Sequence, residues 1–174
     1  MDKKEQILFS ADEISHRVQE LGEELQREYQ DRDLVVIALL RGAFVFAADL
    51  VRAMDTKLEV DFLTTASYGN REETSGCVEF LTKLRSIITD RDVLIVDDIM
   101  DSGHTLKCVV EKLEEQNPKS IKTCVLLNKP SRREVKIEPD YIGFTIDDLF
   151  VVGYGLNYGN YCRNIPYIYT YTKE

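Results

Sequence analysis

Apolar and polar residues along this chain fall into blocks that switch between helical and strand-like patterns. After Ser10-Ala11-Asp12-Glu13, a capping-box sequence, Ile14, Val18, Leu21 and Leu25 recur at helical spacing and predict an N-terminal helix. Leu34 to Leu40 is an unbroken apolar run, which predicts a strand buried on both faces and ending at Arg41-Gly42. Ala43 to Met54 returns to a helical pattern. Leu58 to Ser67 alternates in part and predicts a second strand; Tyr68 to Gly76 is polar, bounded by glycines, and predicts a mobile surface excursion. Val93 to Val96 predicts another doubly buried strand. Leu106, Val109, Val110 and Leu113 then mark one face of a helix that ends before Asn117-Pro118. Ser120 to Asn128, Tyr141 to Ile146 and Phe150 to Tyr154 predict further strands. Strands interleaved with helices imply an α/β fold with a mostly parallel central sheet flanked by helices.

Composition adds a few bounds. With 174 residues and 44% hydrophobic content, the chain is long enough for one full core, and no linker or repeat divides it; a single domain over 1–174 is expected. Neither a membrane-spanning apolar run nor a signal-peptide pattern at Met1-Asp2-Lys3-Lys4-Glu5 is present, so no membrane partner and a cytoplasmic location are expected. Cys77, Cys108, Cys124 and Cys162 form no Cys-x-x-Cys pair, and His16 and His104 are the only histidines, which argues for reduced thiols and against structural zinc. A net charge of −9 argues against a nucleic-acid partner. It leaves room for a small anionic substrate, because local cations and magnesium set the potential inside a cleft.

The candidate chemistry centres on residues 93–105. Asp97 and Asp98 follow the apolar run at the expected carboxyl end of the strand, where open α/β sheets place their ligands. Asp101-Ser102-Gly103-His104-Thr105 then forms a small polar loop running into a helix, whose first amides and positive dipole end suit a phosphate. Carboxylates able to accept from a ribose diol, beside a phosphate-cradling loop, describe a sugar-phosphate site. Acidic pairs after buried strands also occur in receiver-like domains and in Walker B segments. No Gly-x-x-x-x-Gly-Lys-[Ser/Thr] run occurs, which removes the P-loop option.

The stretch from Val93 to Thr105 resembles the signature of type I phosphoribosyltransferases, which bind 5-phosphoribosyl 1-pyrophosphate (PRPP). Leu40-Arg41-Gly42, Ser67-Tyr68-Gly69, Leu127-Asn128-Lys129, Phe150-Val151-Val152-Gly153-Tyr154 and Tyr161-Cys162-Arg163-Asn164 extend the likeness to the hypoxanthine-guanine subfamily, in order, from about residue 8 to 169. The resemblance implies a type I phosphoribosyltransferase fold, with a small hood over the base site formed from the N-terminal and C-terminal segments. It implies transfer of a phosphoribosyl group from PRPP to N9 of a 6-oxopurine, with magnesium as cofactor and a homodimer or homotetramer as the assembly.

Residue roles follow from the same resemblance. Asp97 and Asp98 match the pair that holds the ribose hydroxyls, partly through magnesium. Asp101 matches the general base that accepts the proton from purine N7. Ser102, Gly103, His104 and Thr105 match the 5′-phosphate loop. Lys129 would donate to purine O6, which opposes the amino group of adenine. Phe150 would stack on the purine, and the carbonyls of Val151 and Asn157 would read its edge. Arg41 and Gly42 match a pyrophosphate turn held by a cis Leu40–Arg41 peptide, and Arg163 matches a second pyrophosphate contact. Ser67 and Tyr68 begin a loop that closes over the site and excludes water.

Three positions depart from the pattern. The acidic pair is Asp-Asp where Glu-Asp is common, and His104 fills a variable position with a pH-dependent group. Asn157 replaces an aspartate that in many relatives helps hold a magnesium–pyrophosphate ion, so its metal contact is an expectation of shape without charge. A xanthine-preferring relative, a nucleotide-sensing regulator on the same fold and a receiver-type domain stand as alternatives; base-competition, gel-shift and transfer assays discriminate them.

Overall fold

The computed structural model describes residues 4–66 and 78–172. Strand β1 (Lys4–Phe9) leads through Ser10 into helix α1 (Ala11–Tyr29). The capping box forms in both directions. The Ser10 hydroxyl accepts from the Glu13 amide at 3.2 Å, and the Glu13 carboxylate accepts from the Ser10 amide at 2.8 Å. Next come β2 (Leu34–Leu40), α2 (Phe44–Arg52), β3 (Leu58–Ala66) and the short β4 (Glu79–Phe80). They are followed by β5 (Asp92–Met100), α3 (His104–Glu114), β6 (Ser120–Asn128), β7 (Tyr141–Thr145), β8 (Val151–Val152) and β9 (Ile168–Thr172).

The central sheet has the order β4-β3-β2-β5-β6-β7. β3, β2, β5, β6 and β7 run parallel, and β4 lies antiparallel on the β3 edge. Side-chain alternation divides the core between the two faces. Val36 and Ala38 of β2, with Leu94 and Val96 of β5, join Ile14, Val18, Leu21 and Leu25 of α1 and Phe46 and Leu50 of α2. Val35, Ile37, Val93 and Ile95 point the other way, onto Leu106, Val109 and Leu113 of α3. Helices therefore cover both faces, and for that reason β2 and the first half of β5 carry almost no polar residue. α1 passes close to the end of α2: a Cβ on Gly22 would sit 2.5 Å from the Ala53 Cβ and 2.7 Å from its carbonyl oxygen.

A second sheet, antiparallel and ordered β1-β9-β8, joins the two ends of the described chain. Phe9 at the end of β1 stacks on Phe144 of β7 at 4.0 Å between ring centres, tying this sheet to the main one. Among the described residues no helix is long and apolar enough to cross a membrane.

Several expected boundaries move. β5 runs on to Met100 rather than stopping at Val96, because β6 keeps pairing with it through Asp97–Val125, Ile99–Leu127 and Met100–Asn128. Asp97 and Asp98 therefore lie inside the strand, not after it. α2 is shorter than 43–54 at both ends, with Ala43 and Ala53 as its caps. β7 stops at Thr145 rather than Ile146, and β8 spans only Val151–Val152, since Gly153 and Tyr154 at φ 101 and 50 turn the chain. Ser67 and the polar stretch 68–76 lie outside the described residues, apart from which the second strand ends at Ala66.

Candidate active site

β2 parts from β5 after the pair Ala38–Val96, while β5 continues along β6. A gap opens at the carboxyl ends of these strands, and the turn after β2 fills one side of it. The resulting cleft, about 260 Å³, is lined by Arg41, Gly42, Asp97, Asp98, Asp101, Gly103, Thr105, Asn157 and Arg163 among the expected site residues. The Leu40–Arg41 peptide is cis. Gly42 is packed against the acidic pair: an added Cβ would overlap the Asp98 carboxylate, lying 2.5 Å from its Cγ. A Cβ added to Gly155, at φ 97, would overlap the Gly42 carbonyl oxygen, so the turn after β2 and the segment after β8 meet backbone to backbone.

Asp97 and Asp98 are half-buried. Asp97 accepts from the Asp98 amide and Asp98 from the Ile99 amide, each at 2.9 Å. Burial pushes the Asp97 carboxyl well above the usual carboxylate range, and the charge of Asp98 adds to the effect. Burial raises Asp98 as well; its hydrogen bonds with Asp97 and the Ile99 amide, and the Arg163 guanidinium, pull it back. Two carboxyls in such contact share a proton unless hydroxyl donors or a cation answer their charge.

The loop after β5 has a backbone that its sequence dictates. Gly103 caps α3 at φ 87, and an added Cβ would lie 2.9 Å from Ile137, 3.0 Å from Val135 and 3.2 Å from Arg133. Asp101 is exposed and is not the helix cap; its carboxylate accepts from the Ser102 amide at 2.6 Å. Ser102 accepts weakly from the His104 amide at 3.4 Å, and its carbonyl accepts from the Glu134 amide at 2.9 Å. His104 reaches Glu134 at 2.8 Å through Nε2. The connector between β6 and β7 thus supports the loop along its length.

Lys129 follows the last residue of β6. Only 8% exposed, it donates its amide to the Met100 carbonyl at 2.8 Å and sets its ammonium 3.9 Å from Asp148, which also pairs with Arg132 at 3.3 Å. Phe150 is 56% exposed and meets Tyr158 edge to face at 5.9 Å. Its neighbour Val151 is buried in β8. Asn157 is exposed and donates its amide to the Gly159 carbonyl at 2.5 Å, whereas half-buried Arg163 donates to the Gly155 carbonyl at 2.6 Å. Ser102, His104, Lys129, Phe150 and Val151 stand outside the walls of the small cleft, and Ser67 and Tyr68 lie outside the described residues.

A family model described as a phosphoribosyl transferase domain matches residues 8–159. The chain belongs to that family. Among its phosphoribosyltransferase relatives, the hypoxanthine-guanine phosphoribosyltransferase of Bacillus subtilis (strain 168) is 48% identical over 164 residues, covering 94% of this chain and 91% of the relative. The bifunctional protein TilS/HprT of Listeria monocytogenes serotype 4b is 44% identical over 164 residues, covering 94% of this chain and 25% of the relative. The chain thus spans about a quarter of the length of the bifunctional relatives it matches. A crystal structure of a hypoxanthine phosphoribosyltransferase from Staphylococcus aureus superposes with a TM-score of 0.92 at 40% identity, covering 96% of this chain and 91% of that one.

The phosphoribosyltransferase cleft also draws on residues that the sequence reading missed. Thr65, Ile99, Met100 and Leu106 line it, and Arg133 holds the loop from behind, donating to the Asp101 carbonyl and to the Asn128 side chain at 2.6 Å each. Nothing in the periodicity of the 130s separates Arg133 from its neighbour Arg132; only the return of the connector toward α3 does.

Proposed function

We infer that the protein is a purine-salvage phosphoribosyltransferase that moves the 5-phosphoribosyl group of PRPP onto N9 of hypoxanthine or guanine, giving IMP or GMP and pyrophosphate. The meeting of Asp97, Asp98, the loop residues Asp101, Gly103 and Thr105, the Arg41-Gly42 turn and Arg163 in one cleft carries this reading. It supplies hydrogen-bond acceptors for a ribose diol, amides for a 5′-phosphate and cations for pyrophosphate, side by side.

In the working site, the amides at the start of α3 with Ser102, His104 and Thr105 hold the 5′-phosphate. Asp97 and Asp98 accept from the ribose hydroxyls. Arg41, Gly42 and Arg163 hold the pyrophosphate. Phe150, whose exposed ring stands immediately before β8, stacks on the purine. Lys129 donates to O6, and the carbonyls of Val151 and Asn157 read the purine edge. The small β1-β9-β8 sheet serves as the hood of this single domain. As N9 bonds to the anomeric carbon, the bond to pyrophosphate breaks and its electron pair leaves with the pyrophosphate. Asp101 takes the N7 proton.

The donor set fits magnesium. Asp97 and Asp98 offer hard oxygens whose charge is not fully answered within the chain. Among the described residues no group of three or more His, Cys, Asp or Glu side chains makes a protein-only cage. One or two carboxylates plus substrate oxygens are what magnesium takes at phosphate-transfer sites, with Asn157 as a third, neutral contact. Bound there, the ion neutralises charge on the pyrophosphate. The free thiols of Cys124 and Cys162 support a cytoplasmic location, and exposed Phe44, Val60 and Phe62 support a homodimer or homotetramer.

Product analysis with PRPP, magnesium and each 6-oxopurine tests the reading. Equal amounts of nucleotide and pyrophosphate from hypoxanthine or guanine are expected. No nucleotide from either base, or a preference for xanthine, would overturn it.

A further inference from the structure

Two adjacent arginines in the β6–β7 connector have opposite surroundings. Arg132 points outward, 57% exposed, toward Asp148. Arg133 is tucked in, with 10% of its side chain exposed, and its guanidinium has acceptors on several sides. Nη1 donates to the Asp101 carbonyl at 2.6 Å, and Nη2 donates to the Asn128 side-chain oxygen at 2.6 Å. A looser contact at 3.4 Å reaches Glu138, which is 68% exposed. The short contacts go to Asp101 and Asn128, and the long ones, from Nε and Nη2, go to exposed Glu138, so the firm grip of the guanidinium is on the first two residues.

The two acceptors at 2.6 Å sit at or beside the residues around which the proposed chemistry turns. One is the backbone of Asp101, the proposed proton acceptor for N7. The other is the residue immediately before Lys129, the proposed donor to O6. In a 6-oxopurine, O6 and N7 lie side by side on one edge of the ring, so the groups that read them must keep a fixed separation. We propose that Arg133 is a positioning residue that sets the spacing between Asp101 and Lys129, so that O6 recognition and N7 deprotonation occur on the same bound purine. This rests on the function proposed above. Arginine suits the task because its rigid planar fork presents separate nitrogens in fixed directions to two acceptors, where lysine has a single nitrogen on a flexible stem.

The rest of the loop has other support. The Glu134 amide holds the Ser102 carbonyl at 2.9 Å, and Val135 and Ile137 pack against Gly103. Loss of the Arg133 fork therefore leaves the 5′-phosphate cradle attached and frees its Asp101 end. The expected signature is a fall in kcat with little change in the KM for PRPP.

Transfer kinetics on wild type, Arg133→Met, Arg133→Lys, Lys129→Ala and the Arg133→Met/Lys129→Ala double variant test the proposal, with melting curves to follow folding. Arg133→Met should lower kcat about 10- to 100-fold, the range for a reacting group displaced by a fraction of an ångström to an ångström. Arg133→Lys should fall between Met and wild type. In the Lys129→Ala background the Arg133→Met penalty should shrink clearly, since the spacing no longer matters once one of its ends is gone. Glu138→Ala, which removes only the contacts at 3.4 Å, should keep wild-type kcat. Should Arg133→Met fail to fold, Asn128→Ala removes one acceptor of the fork and should reproduce part of the kcat loss. A wild-type protein without transfer activity would overturn the functional reading itself. An active wild type with an unchanged kcat in Arg133→Met, or penalties that multiply in full in the double variant, would overturn the positioning role.

Discussion

Gly42→Ala separates the site from the fold. The added methyl would overlap the Asp98 carboxylate, and the overlap is with the end of a side chain, not with backbone. Asp98 relieves it by rotating away from the turn. An off-rotamer side chain costs about 0.5–1.5 kcal/mol, so the melting temperature should fall by only about 1–6 °C for a domain of this size. The same rotation removes an acceptor from the ribose hydroxyls. A hydrogen bond to a charged group contributes about 1.5–3 kcal/mol, so kcat/KM for PRPP should drop about 10- to 150-fold. Steady-state transfer assays beside thermal melts read both numbers from one preparation. Gly22→Ala is the matched control. Its methyl meets the backbone of Ala53 far from the cleft and should lower stability by about 1–3 kcal/mol through overpacking, with kcat/KM unchanged at a temperature where the variant is folded. If Gly42→Ala keeps kcat/KM within about threefold of wild type, below the smallest effect expected of a lost charged hydrogen bond, then Asp98 does not touch the reacting sugar.

Asp101→Asn should keep PRPP binding and lose about 10²–10⁴-fold in single-turnover rate, the usual loss for a general base; unchanged chemistry would exclude that role. Lys129→Ala should lower purine kcat/KM by the equivalent of about 1.5–3 kcal/mol while PRPP affinity holds, and an equal loss on a purine analogue without O6 would refute the assignment. Asn157→Asp should lower the magnesium concentration giving half-maximal rate, because a carboxylate attracts a divalent ion more strongly than an amide does. The same change removes the donor to the Gly159 carbonyl and should cost about 1 kcal/mol of stability; identical magnesium titrations would leave Asn157 as a turn residue only.

The doubly buried strands were legible because their physics is simple. A strand covered on both faces must be apolar at every position, and Leu34–Leu40 is apolar along its whole length. The capping box at Ser10 was legible for an equally local reason, since both hydrogen bonds lie within four consecutive residues. What sequence did not reveal are elements whose partners are remote. β1 pairs with β9 across most of the chain, Lys4 being in register with Thr172, and neither segment announces itself without the other. The end of β5 is hidden in a similar way: Asp97 and Asp98 break the apolar pattern, yet pairing with β6 keeps the backbone extended through them.

That mismatch between pattern and backbone says where function begins on this fold. In the first half of β5, Val93 to Val96 are covered by helices on both faces and by β2 and β6 at both edges. From Asp97 onward β2 has turned away at Leu40, so one edge of β5 faces an opening rather than a neighbour. A strand residue there keeps the rigidity of a sheet on its paired side and gains access to a ligand on the other. Polar side chains at that point are cheaper than in the core and better held than on a loop. The acidic pair occupies this zone, Gly42 closes against it, and the loop beyond Met100 starts from a backbone that β6 has already fixed. Ligands bind outside the carboxyl ends of such sheets. In this chain the reason is visible in the register: the residue at which β2 and β5 stop pairing is the residue before Asp97.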